Sequence, residues 1–175
     1  MASGTQHMVW SHMESPVGLI TLLANQRGLI YLDFCKQNDP VLGAEIWLNH
    51  WFRHYTLEKN EQALLPYMDE INEYFQGTRK TFEIPFDLYG TPFQKRVWRQ
   101  LSTIPYGEVR TYKEIASAIG SPKAVRAVGG ANNKNPLSIV IPCHRVIGSN
   151  GSLVGYGGGL HIKEYLLTLE GWLKP

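Results

Sequence analysis

The sequence predicts a mixed α/β (α+β) fold made of two domains, and three observations support that prediction. Short apolar runs separated by turn residues fill the first part of the chain and are typical of a β-hairpin or small sheet. Apolar positions three and four apart then indicate helices that pack against it. In the second half, closely spaced helix-start signals predict a winged helix-turn-helix-like domain.

The N-terminal domain begins with the predicted β-hairpin. The apolar runs 18–24 and 29–34 flank the turn sequence Asn-Gln-Arg-Gly at 25–28, and a glycine-containing loop between two such runs is a hairpin signal. Two helices are predicted next, over 43–56 and 62–76, because apolar residues recur there at helical spacing.

A predicted strand ends this domain, and a turn follows it. Apolar side chains alternate at positions 82, 84 and 86, which is the period of a half-buried strand. The turn residues at 89–92 then mark a boundary, so we predict an N-terminal α/β domain over 9–90 and a C-terminal domain over 91–175. The composition of residues 1–8 predicts that they are a tag remnant.

Three helices are predicted to follow the boundary. A threonine before a proline starts the first, over 91–102. A Thr-Tyr-Lys-Glu capping box starts the second, over 111–120, and a Ser-Pro pair is predicted to cap the third, over 121–132. Because the last two are so close in sequence, they fit a helix-turn-helix, whose second helix usually meets DNA.

The end of the chain is predicted to form a strand, a hairpin turn and a helix. The apolar run 138–141 is predicted to be a strand that leads into Pro142. Asn150-Gly151 suits the type I′ turn of a β-hairpin. A last helix over 160–169 is predicted to end at Gly171, since glycine is favoured just past a helix end.

The charge distribution differs between the two halves, although the 175-residue chain has a net charge of only +2. Residues 1–90 hold 6 Lys/Arg against 11 Asp/Glu, a net −5. Residues 91–175 hold 11 against 4, a net +7. A basic half beside an acidic half is typical of a polyanion-binding module joined to a non-binding one, although scattered surface charge would give the same counts.

Hydropathy and cysteine usage exclude several classes of protein. No apolar run approaches the ~20 residues that span a bilayer, and residues 1–8 lack the basic and apolar regions of a signal peptide. Cys35 and Cys143 lie far apart, which favours a reducing compartment over a disulfide scaffold. We therefore expect a cytoplasmic protein with no membrane partner.

The residues with the clearest chemical potential are Cys143 and His144. A thiol becomes a strong nucleophile only when its pKa is lowered, and a neighbouring imidazole is a common means of lowering it. Pro142 would hold the thiol at a fixed place. Most lone cysteines are instead buried core thiols, and the Cys-His pair alone leaves both interpretations open.

The wider surroundings of Cys143 resemble the active-site segment of the O6-alkylguanine-DNA alkyltransferases, also called methylated-DNA–protein-cysteine methyltransferases. The similarity is dense over 91–171 and thin over 9–90, where it is limited to a start such as Ser15-Pro16-Val17-Gly18. The matching motifs, in chain order, are Gly107-Glu108-Val109, Tyr112, Lys123 to Gly130, Asn135-Pro136, Ile141 to Ile147, Gly155 to Gly159 and Lys163 to Gly171.

The resemblance implies a DNA repair protein that flips O6-alkylguanine out of the duplex and transfers the alkyl group irreversibly to its own Cys143. O4-alkylthymine is a further candidate substrate. No cofactor is implied, because the protein itself is the acceptor. The implied partner is double-stranded DNA with alkylated guanine, bound by a monomer, and cooperative binding along DNA stays open.

The resemblance also implies roles for individual residues. By this resemblance, His144 acts through a water and is oriented by Glu170. Asn135 ties the recognition helix to the Cys143 segment. Tyr112 rotates the nucleotide and donates a proton. The implied pocket wall is Val146, Val154, Tyr156 and Gly157. Positions 154 and 157 vary among relatives, so the pocket width stays open.

The resemblance also implies contacts with DNA. Arg126 fills the gap left by the flipped base, and the other implied contacts are Ala124, Ala127, Gly129, Lys113, Ser121 and Ser149.

Three other functions and one metal site are alternatives to this interpretation. A non-catalytic lesion-binding relative would carry tryptophan in place of Cys143, and a helix-turn-helix regulator of this kind would add a cysteine cluster that the chain lacks. A Cys-His hydrolase would need an oxyanion hole, for which the sequence offers no specific residues. His50 and His54 lie four apart with the distant Cys35, but no fourth ligand accompanies them, so no metal is predicted.

Overall fold

A computed structural model describes residues 4–36 and 39–175 of the chain. It divides into two compact units, the first ending at Tyr89 and the second being Gly90–Pro175. A four-stranded sheet with helices forms the first unit and helices dominate the second, which confirms the predicted fold class. Part of the predicted tag remnant, residues 1–3, lies outside the described residues.

The sheet of the first unit has the strand order β3-β2-β1-β4. Its strands are β1 (Gln6–Ser15), β2 (Gly18–Asn25), β3 (Gly28–Phe34) and β4 (Tyr55–Lys59). Neighbouring strands β1, β2 and β3 are antiparallel, whereas β4 runs parallel to β1. The predicted hairpin is thus confirmed as β2–β3.

Gly28 is required at the start of β3 for two reasons. Its φ of +134° is a conformation that side-chain-bearing residues rarely adopt. A Cβ there would also lie 2.2 Å from the carbonyl oxygen of Pro85, so the turn and the 85–87 segment can approach only because residue 28 has no side chain.

Two helices accompany the sheet, α1 (Leu42–Trp51) and α2 (Glu61–Phe75). The prediction of helix over 43–56 was wrong at its C-terminal end, because Tyr55 begins β4. The segment Tyr55-Thr56-Leu57 is rich in residues that favour strands, and its hydrogen bonds go to β1, a partner far away in sequence. That pairing also uses residues 6–8 of the predicted tag remnant.

The predicted strand over 82–86 was wrong as well. Only Phe86 forms a bridge, to Leu29, and the flanking hydrogen bonds are Leu29 N–H to Pro85 O at 2.9 Å and Asp87 N–H to Leu29 O at 3.0 Å. Pro85 has no N–H to donate, so a continuous ladder cannot form around it.

The second unit contains four helices among its described residues: α3 (Pro92–Leu101), α4 (Tyr112–Ala118), α5 (Val125–Asn133) and α6 (Leu160–Leu169). Two of the three predicted caps are confirmed, since Thr91 with Gln94 and Thr111 with Glu114 form capping boxes. No helix among the described residues is long and apolar enough to cross a membrane.

The helix-turn-helix consists of α4 and α5, but the start of its second helix differs from the prediction. Ser121 makes no cap; its carbonyl instead accepts the N–H of Ala124 at 2.8 Å in a turn, and α5 begins at Val125. Gly120 ends the preceding helix with a φ of +75°, which lets the chain reverse tightly before that turn.

The segment around the cysteine is a loop and not the predicted strand and hairpin. Residues 138–141 form a turn, and a single 3-10 turn, Cys143–Arg145, follows. The short strands β5 (Arg110–Thr111) and β6 (Val146–Ile147) pair in parallel. Asn150-Gly151 does make a turn, but it closes a local loop in which Gly148 N–H donates to Ser152 O at 2.9 Å.

Candidate active site

Cys143 is held in place by a strained loop. Ile139 has a φ of 73°, a conformation that costs a β-branched residue about 1–3 kcal/mol and that persists only when its surroundings enforce it. The backbone N–H of Cys143 donates to Ile141 O at 2.8 Å, and the cysteine is only 4% exposed. The position of the thiol is therefore fixed by the backbone that leads into it.

Two buried asparagines enforce that loop. Asn135 donates from Nδ2 to Ile141 O at 2.8 Å and accepts the N–H of Leu137 on Oδ1 at 3.0 Å. Asn132, near the end of α5, donates from Nδ2 to Cys143 O at 3.3 Å. Side-chain hydrogen bonds thus join the second helix of the helix-turn-helix to the Cys143 segment, the kind of tie that the resemblance implies for Asn135.

Glu170 accepts hydrogen bonds from both neighbours of the cysteine. His144 Nε2 lies 2.7 Å from Glu170 Oε1. Arg145 donates from Nε to Oε2 at 2.8 Å and from a terminal nitrogen to Oε1 at 2.9 Å. The backbone N–H of Gly107 donates to Oε2 at 3.3 Å. All three side chains are buried, so this is an interior ion pair with a histidine attached to it.

The protonation states of this cluster follow from its geometry. Burial lowers the pKa of His144, and the hydrogen bond and charge of Glu170 only partly oppose that effect. Burial alone would raise the pKa of Glu170, but the hydrogen bonds and charges of His144 and Arg145 together hold that pKa far below its ordinary range.

Those two states determine the tautomer of His144. An ionised carboxylate can only accept hydrogen bonds, so the Nε2 that faces Glu170 carries the proton. Nδ1 then keeps its lone pair, which is the form of imidazole that can act as a general base. The arrangement can therefore take a proton next to Cys143 while Glu170 fixes the ring.

Tyr112, the first residue of α4, donates its hydroxyl to a segment that we call the pocket loop, residues 152–159. The acceptors are Val154 O at 2.9 Å and Gly155 O at 3.1 Å. Burial, and to a smaller extent negative charge at Cys143, raise the pKa of Tyr112 to about 12. The phenol thus stays protonated at neutral pH and lies close enough to the thiol to respond to its charge.

Lys163, on α6, holds the same loop through a buried ammonium. Its Nζ donates to Val154 O at 3.0 Å and also to Val146 O, and the residue has no exposed surface. Burial lowers the pKa of Lys163 to about 8, whereas negative charge at Cys143 raises it. A cation in this position favours a thiolate over a thiol and links two of the implied pocket-wall residues.

The four implied pocket-wall residues differ in exposure. Val146 is buried in β6 and Tyr156 is buried in the pocket loop. Val154 is 42% exposed, and Gly157 is exposed as well. The structure therefore brings Val146 and Val154 together through Lys163, and leaves the outer face of the loop open.

The implied DNA contacts lie mainly on α5 and beside it. Arg126 and Ala127 are exposed in its first turns, whereas Val128 is buried on the opposite side. Gly129 lies against Tyr112, since a Cβ there would be 3.9 Å from the Tyr112 ring. The other implied contacts are either exposed, as are Lys113 and Ser149, or half-buried, as are Ala124 and Ser121.

No metal centre is assembled by the part of the chain that the structure describes, where no three His, Cys, Asp or Glu side chains come together to hold an ion. His50 lies in the last turn of α1, whereas His54 lies beyond the end of that helix, so the two do not share the helix that the sequence predicted. That the protein binds no metal stays a prediction.

Two family models match the chain on either side of the unit boundary. The 6-O-methylguanine DNA methyltransferase ribonuclease-like domain matches residues 8–88, and the DNA-binding domain of the same family matches residues 92–172. The chain belongs to the 6-O-methylguanine DNA methyltransferase family. This membership confirms the resemblance that was based on the motifs around Cys143.

Individual members of the family are similar over nearly their whole length. The methylated-DNA–protein-cysteine methyltransferase of Methanosarcina acetivorans is 46% identical, over 94% of this chain and 99% of its own. The constitutive enzyme of Bacillus subtilis is 46% identical, over 90% and 92%. A solved structure described as Mycobacterium tuberculosis OGT in complex with DNA is 43% identical to this chain, covers 94% of this chain and 92% of its own, and has a TM-score of 0.76.

Within this methyltransferase site, Arg145, Lys163 and Asn132 were not predicted from sequence. Lys163 left a signal, because Lys163, Leu166, Leu167 and Glu170 occupy helical positions i, i+3, i+4 and i+7, and the two leucines mark that face of α6 as buried. Arg145 and Asn132 left no comparable signal, since their partners are Glu170 and the Cys143 carbonyl, contacts that only the folded chain creates.

Proposed function

We propose that the protein repairs DNA by moving the alkyl group of O6-alkylguanine onto Cys143. The observation that carries the proposal is a buried thiol next to a neutral His144. Nε2 of that histidine donates to the ionised Glu170, so Nδ1 keeps the lone pair that can accept a proton. Membership of the family, and a relative whose structure was solved with DNA, support the same substrate. A reduced thiol is required, so we propose the cytoplasm as its compartment.

The reaction is a single displacement at the alkyl carbon. The Cys143 sulfur attacks that carbon, the C–S bond forms as the bond to guanine O6 breaks, and the electron pair leaves on the guanine. His144 takes the thiol proton through a water, and Tyr112 gives a proton to the guanine and regains one from solvent. The product thioether is stable, so each molecule acts once and needs no cofactor.

The helix-turn-helix is the part of the protein that reaches the alkylated base in DNA. Insertion of α5 into a groove would bring the exposed Arg126 to the stack, where it can fill the space of an extruded nucleotide. The small residues beside it, such as Ala127 and Gly129, permit close approach of the helix to DNA. The net +7 of residues 91–175 favours the phosphates.

Mass spectrometry tests the proposal directly. After incubation with a duplex that carries one O6-methylguanine, the protein should gain one methyl group, located on the peptide that contains Cys143. A duplex with unmodified guanine is the control. An unchanged protein mass would refute the proposed function, and a methyl group on Cys35 would refute the assignment of the acceptor.

Arg126→Ala should slow repair of duplex DNA while sparing the reaction with the free base O6-benzylguanine. Flipping a base costs a few kcal/mol, and losing the side chain that fills the gap should cost roughly 10- to 100-fold in rate on duplex. The measurement is the single-turnover rate on both substrates. Arg53→Ala, which removes an exposed arginine from the first unit, is the matched control. Equal slowing on both substrates would argue against this role.

A further inference from the structure

Arg145 forms a buried ion pair with Glu170 through two parallel hydrogen bonds. Its Nε donates to Oε2 at 2.8 Å and a terminal nitrogen donates to Oε1 at 2.9 Å, while its side chain is 7% exposed. Taking two charges out of water is costly, and apolar residues of similar volume often serve the stability of a core equally well. A contribution to folding alone therefore does not explain why an arginine occupies this position.

The guanidinium is held from its other sides as well. Its second terminal nitrogen donates to Ile104 O at 2.6 Å, and its central carbon lies 5.8 Å from the centre of the Tyr106 ring. The Tyr106 hydroxyl donates to Leu169 O at 3.2 Å, and Leu169 directly precedes Glu170. The orientation of the Arg145 fork is thus fixed by the fold itself.

Four hydrogen bonds surround the two carboxylate oxygens of Glu170. Oε1 accepts from Arg145 and lies 2.7 Å from His144 Nε2. Oε2 accepts from Arg145 and, at 3.3 Å, from the Gly107 N–H. A carboxylate offers about four lone-pair sites. Because Arg145 fills a site on each oxygen, a proton can be placed on Glu170 only by displacing a donor.

The guanidinium controls whether the His144–Glu170 pair can hold a second proton. On the imidazole, that proton would give an imidazolium, in which both ring nitrogens carry protons. On the carboxylate, it would make Glu170 a donor to Nε2, and the proton of the ring would then reside on Nδ1. Both forms leave Nδ1 unable to accept the proton of the Cys143 thiol. The positive charge of Arg145 opposes both of them.

The charges around His144 show why an arginine suits this position. Burial is the main cause that lowers the pKa of His144, and the charges of Arg145 and Lys163 act in the same direction, against that of Glu170. Burial lowers the pKa of Lys163 itself to about 8, so an ammonium in this interior is close to losing its charge. Burial also raises the pKa of the Tyr106 phenol, which is therefore uncharged. A guanidinium keeps its charge at every accessible pH, and its planar fork matches a carboxylate.

We propose that Arg145 is a positioning residue for alkyl transfer, whose fork keeps Glu170 ionised so that His144 Nδ1 stays free of a proton and can accept the one from the thiol. The proposal rests on the proposed function. It assigns a part in the chemical step to a side chain that acts through Glu170 and His144 rather than on the substrate.

Nitrogen NMR of protein labelled with [15N]histidine reports the proton on each ring nitrogen. The His144 signals are identified by their loss in a His144→Gln protein. We expect Nδ1 to be unprotonated in wild type at neutral pH. In Arg145→Met, which removes the charge and both hydrogen bonds, the equilibrium should shift at least about tenfold toward protonated Nδ1. An Nδ1 that stays unprotonated in this variant would overturn the proposal.

The same variant should transfer methyl more slowly without binding DNA more weakly. We expect the maximal single-turnover rate on an O6-methylguanine duplex to fall about 10-fold at neutral pH, because less of His144 can act as the base. The duplex concentration at half-maximal rate should stay within about twofold of wild type, since Arg145 is buried. Arg79→Met is the matched control: Arg79 Nε donates to Glu73 at 2.7 Å in the first unit, and this variant should react at the wild-type rate.

A double-mutant cycle separates this role from a structural one. If Arg145 acts through the carboxylate, Arg145→Met should add no further loss of rate in a Glu170→Gln background. Arg145→Lys keeps a cation without the planar fork, so it should fold and be slowed about three- to tenfold. Additive losses in the cycle, a lysine variant as fast as wild type, or a methionine variant slowed only by weaker DNA binding would each contradict the proposal.

The NMR measurement needs no DNA, so failure of the proposed function and failure of this proposal are distinguishable. A wild-type protein that gains no methyl group refutes the function, and with it any role of Arg145 in alkyl transfer. A wild-type protein that gains one, together with an Arg145→Met variant that reacts equally fast and has an unprotonated Nδ1, refutes only the role of Arg145.

Discussion

Cys143→Ala is expected to abolish alkyl transfer completely, because no other described side chain occupies the position of the attacking sulfur. The change removes one atom from a residue that is 4% exposed, and the neighbouring hydrogen bonds to the Cys143 backbone are retained. The fold and lesion binding should therefore survive. The measurement is transfer of radiolabelled methyl from an O6-methylguanine duplex, with binding of the same duplex followed by fluorescence anisotropy.

Cys35→Ala provides the matched control for that result. Cys35 is the other free cysteine, it is partly exposed, and its sulfur lies 3.1 Å from Thr21 Oγ1 in the first unit. We expect this variant to accept one methyl group at the wild-type rate. A Cys143→Ala protein that still removes methyl groups from DNA would contradict the assignment of the nucleophile, and loss of lesion binding would show that the sulfur also supports the pocket.

The elements that could be predicted from sequence are those fixed by nearby residues. The capping boxes at Thr91 and Thr111 involve residues three apart, and both helices begin where the sequence indicated. The hairpin β2–β3 is equally local. Strand β4 could not be predicted, because the residues that make it a strand lie in β1, almost 50 positions earlier.

The Cys143 loop could not be predicted for a different reason. The run 138–141 has the composition of a strand, but Asn135 binds the carbonyl of Ile141 and curls the chain into a turn that includes the strained Ile139. The composition of an apolar run does not reveal a side-chain hydrogen bond of this kind. Here tertiary contacts override local preference at a functional site, where strain is most often stored.

Site residues that belong to a recognisable sequence motif could be predicted. Site residues whose only distinguishing feature is burial in the folded chain could not. The role of Glu170 followed from resemblance, since a glutamate before a glycine at a helix end has no distinctive pattern of its own. The structure adds that this carboxylate accepts hydrogen bonds from two side chains at once, those of His144 and Arg145. Removing its charge should therefore affect both the fold and the chemistry.

Glu170→Gln is expected to be the most damaging substitution outside the nucleophile. It leaves the Arg145 guanidinium buried without its counter-ion, and breaking a buried ion pair by removing one partner costs about 3–5 kcal/mol. It also removes the acceptor-only group that fixes the His144 tautomer, since an amide can present either its oxygen or its NH2 group. We expect a lower melting temperature and a transfer rate reduced at least ~100-fold, as when the orienting carboxylate of a triad is neutralised.

Two further variants keep this prediction testable when the glutamine protein folds poorly. Glu170→Asp retains the charge but shortens the reach to His144 Nε2, now 2.7 Å away, so it should fold and still transfer slowly. Glu164→Gln removes an exposed carboxylate from the same helix and should match wild type in melting temperature and rate. A Glu170→Gln protein with wild-type values of both would mean that neither Arg145 nor His144 depends on that charge, and the proposed general base would lose its support.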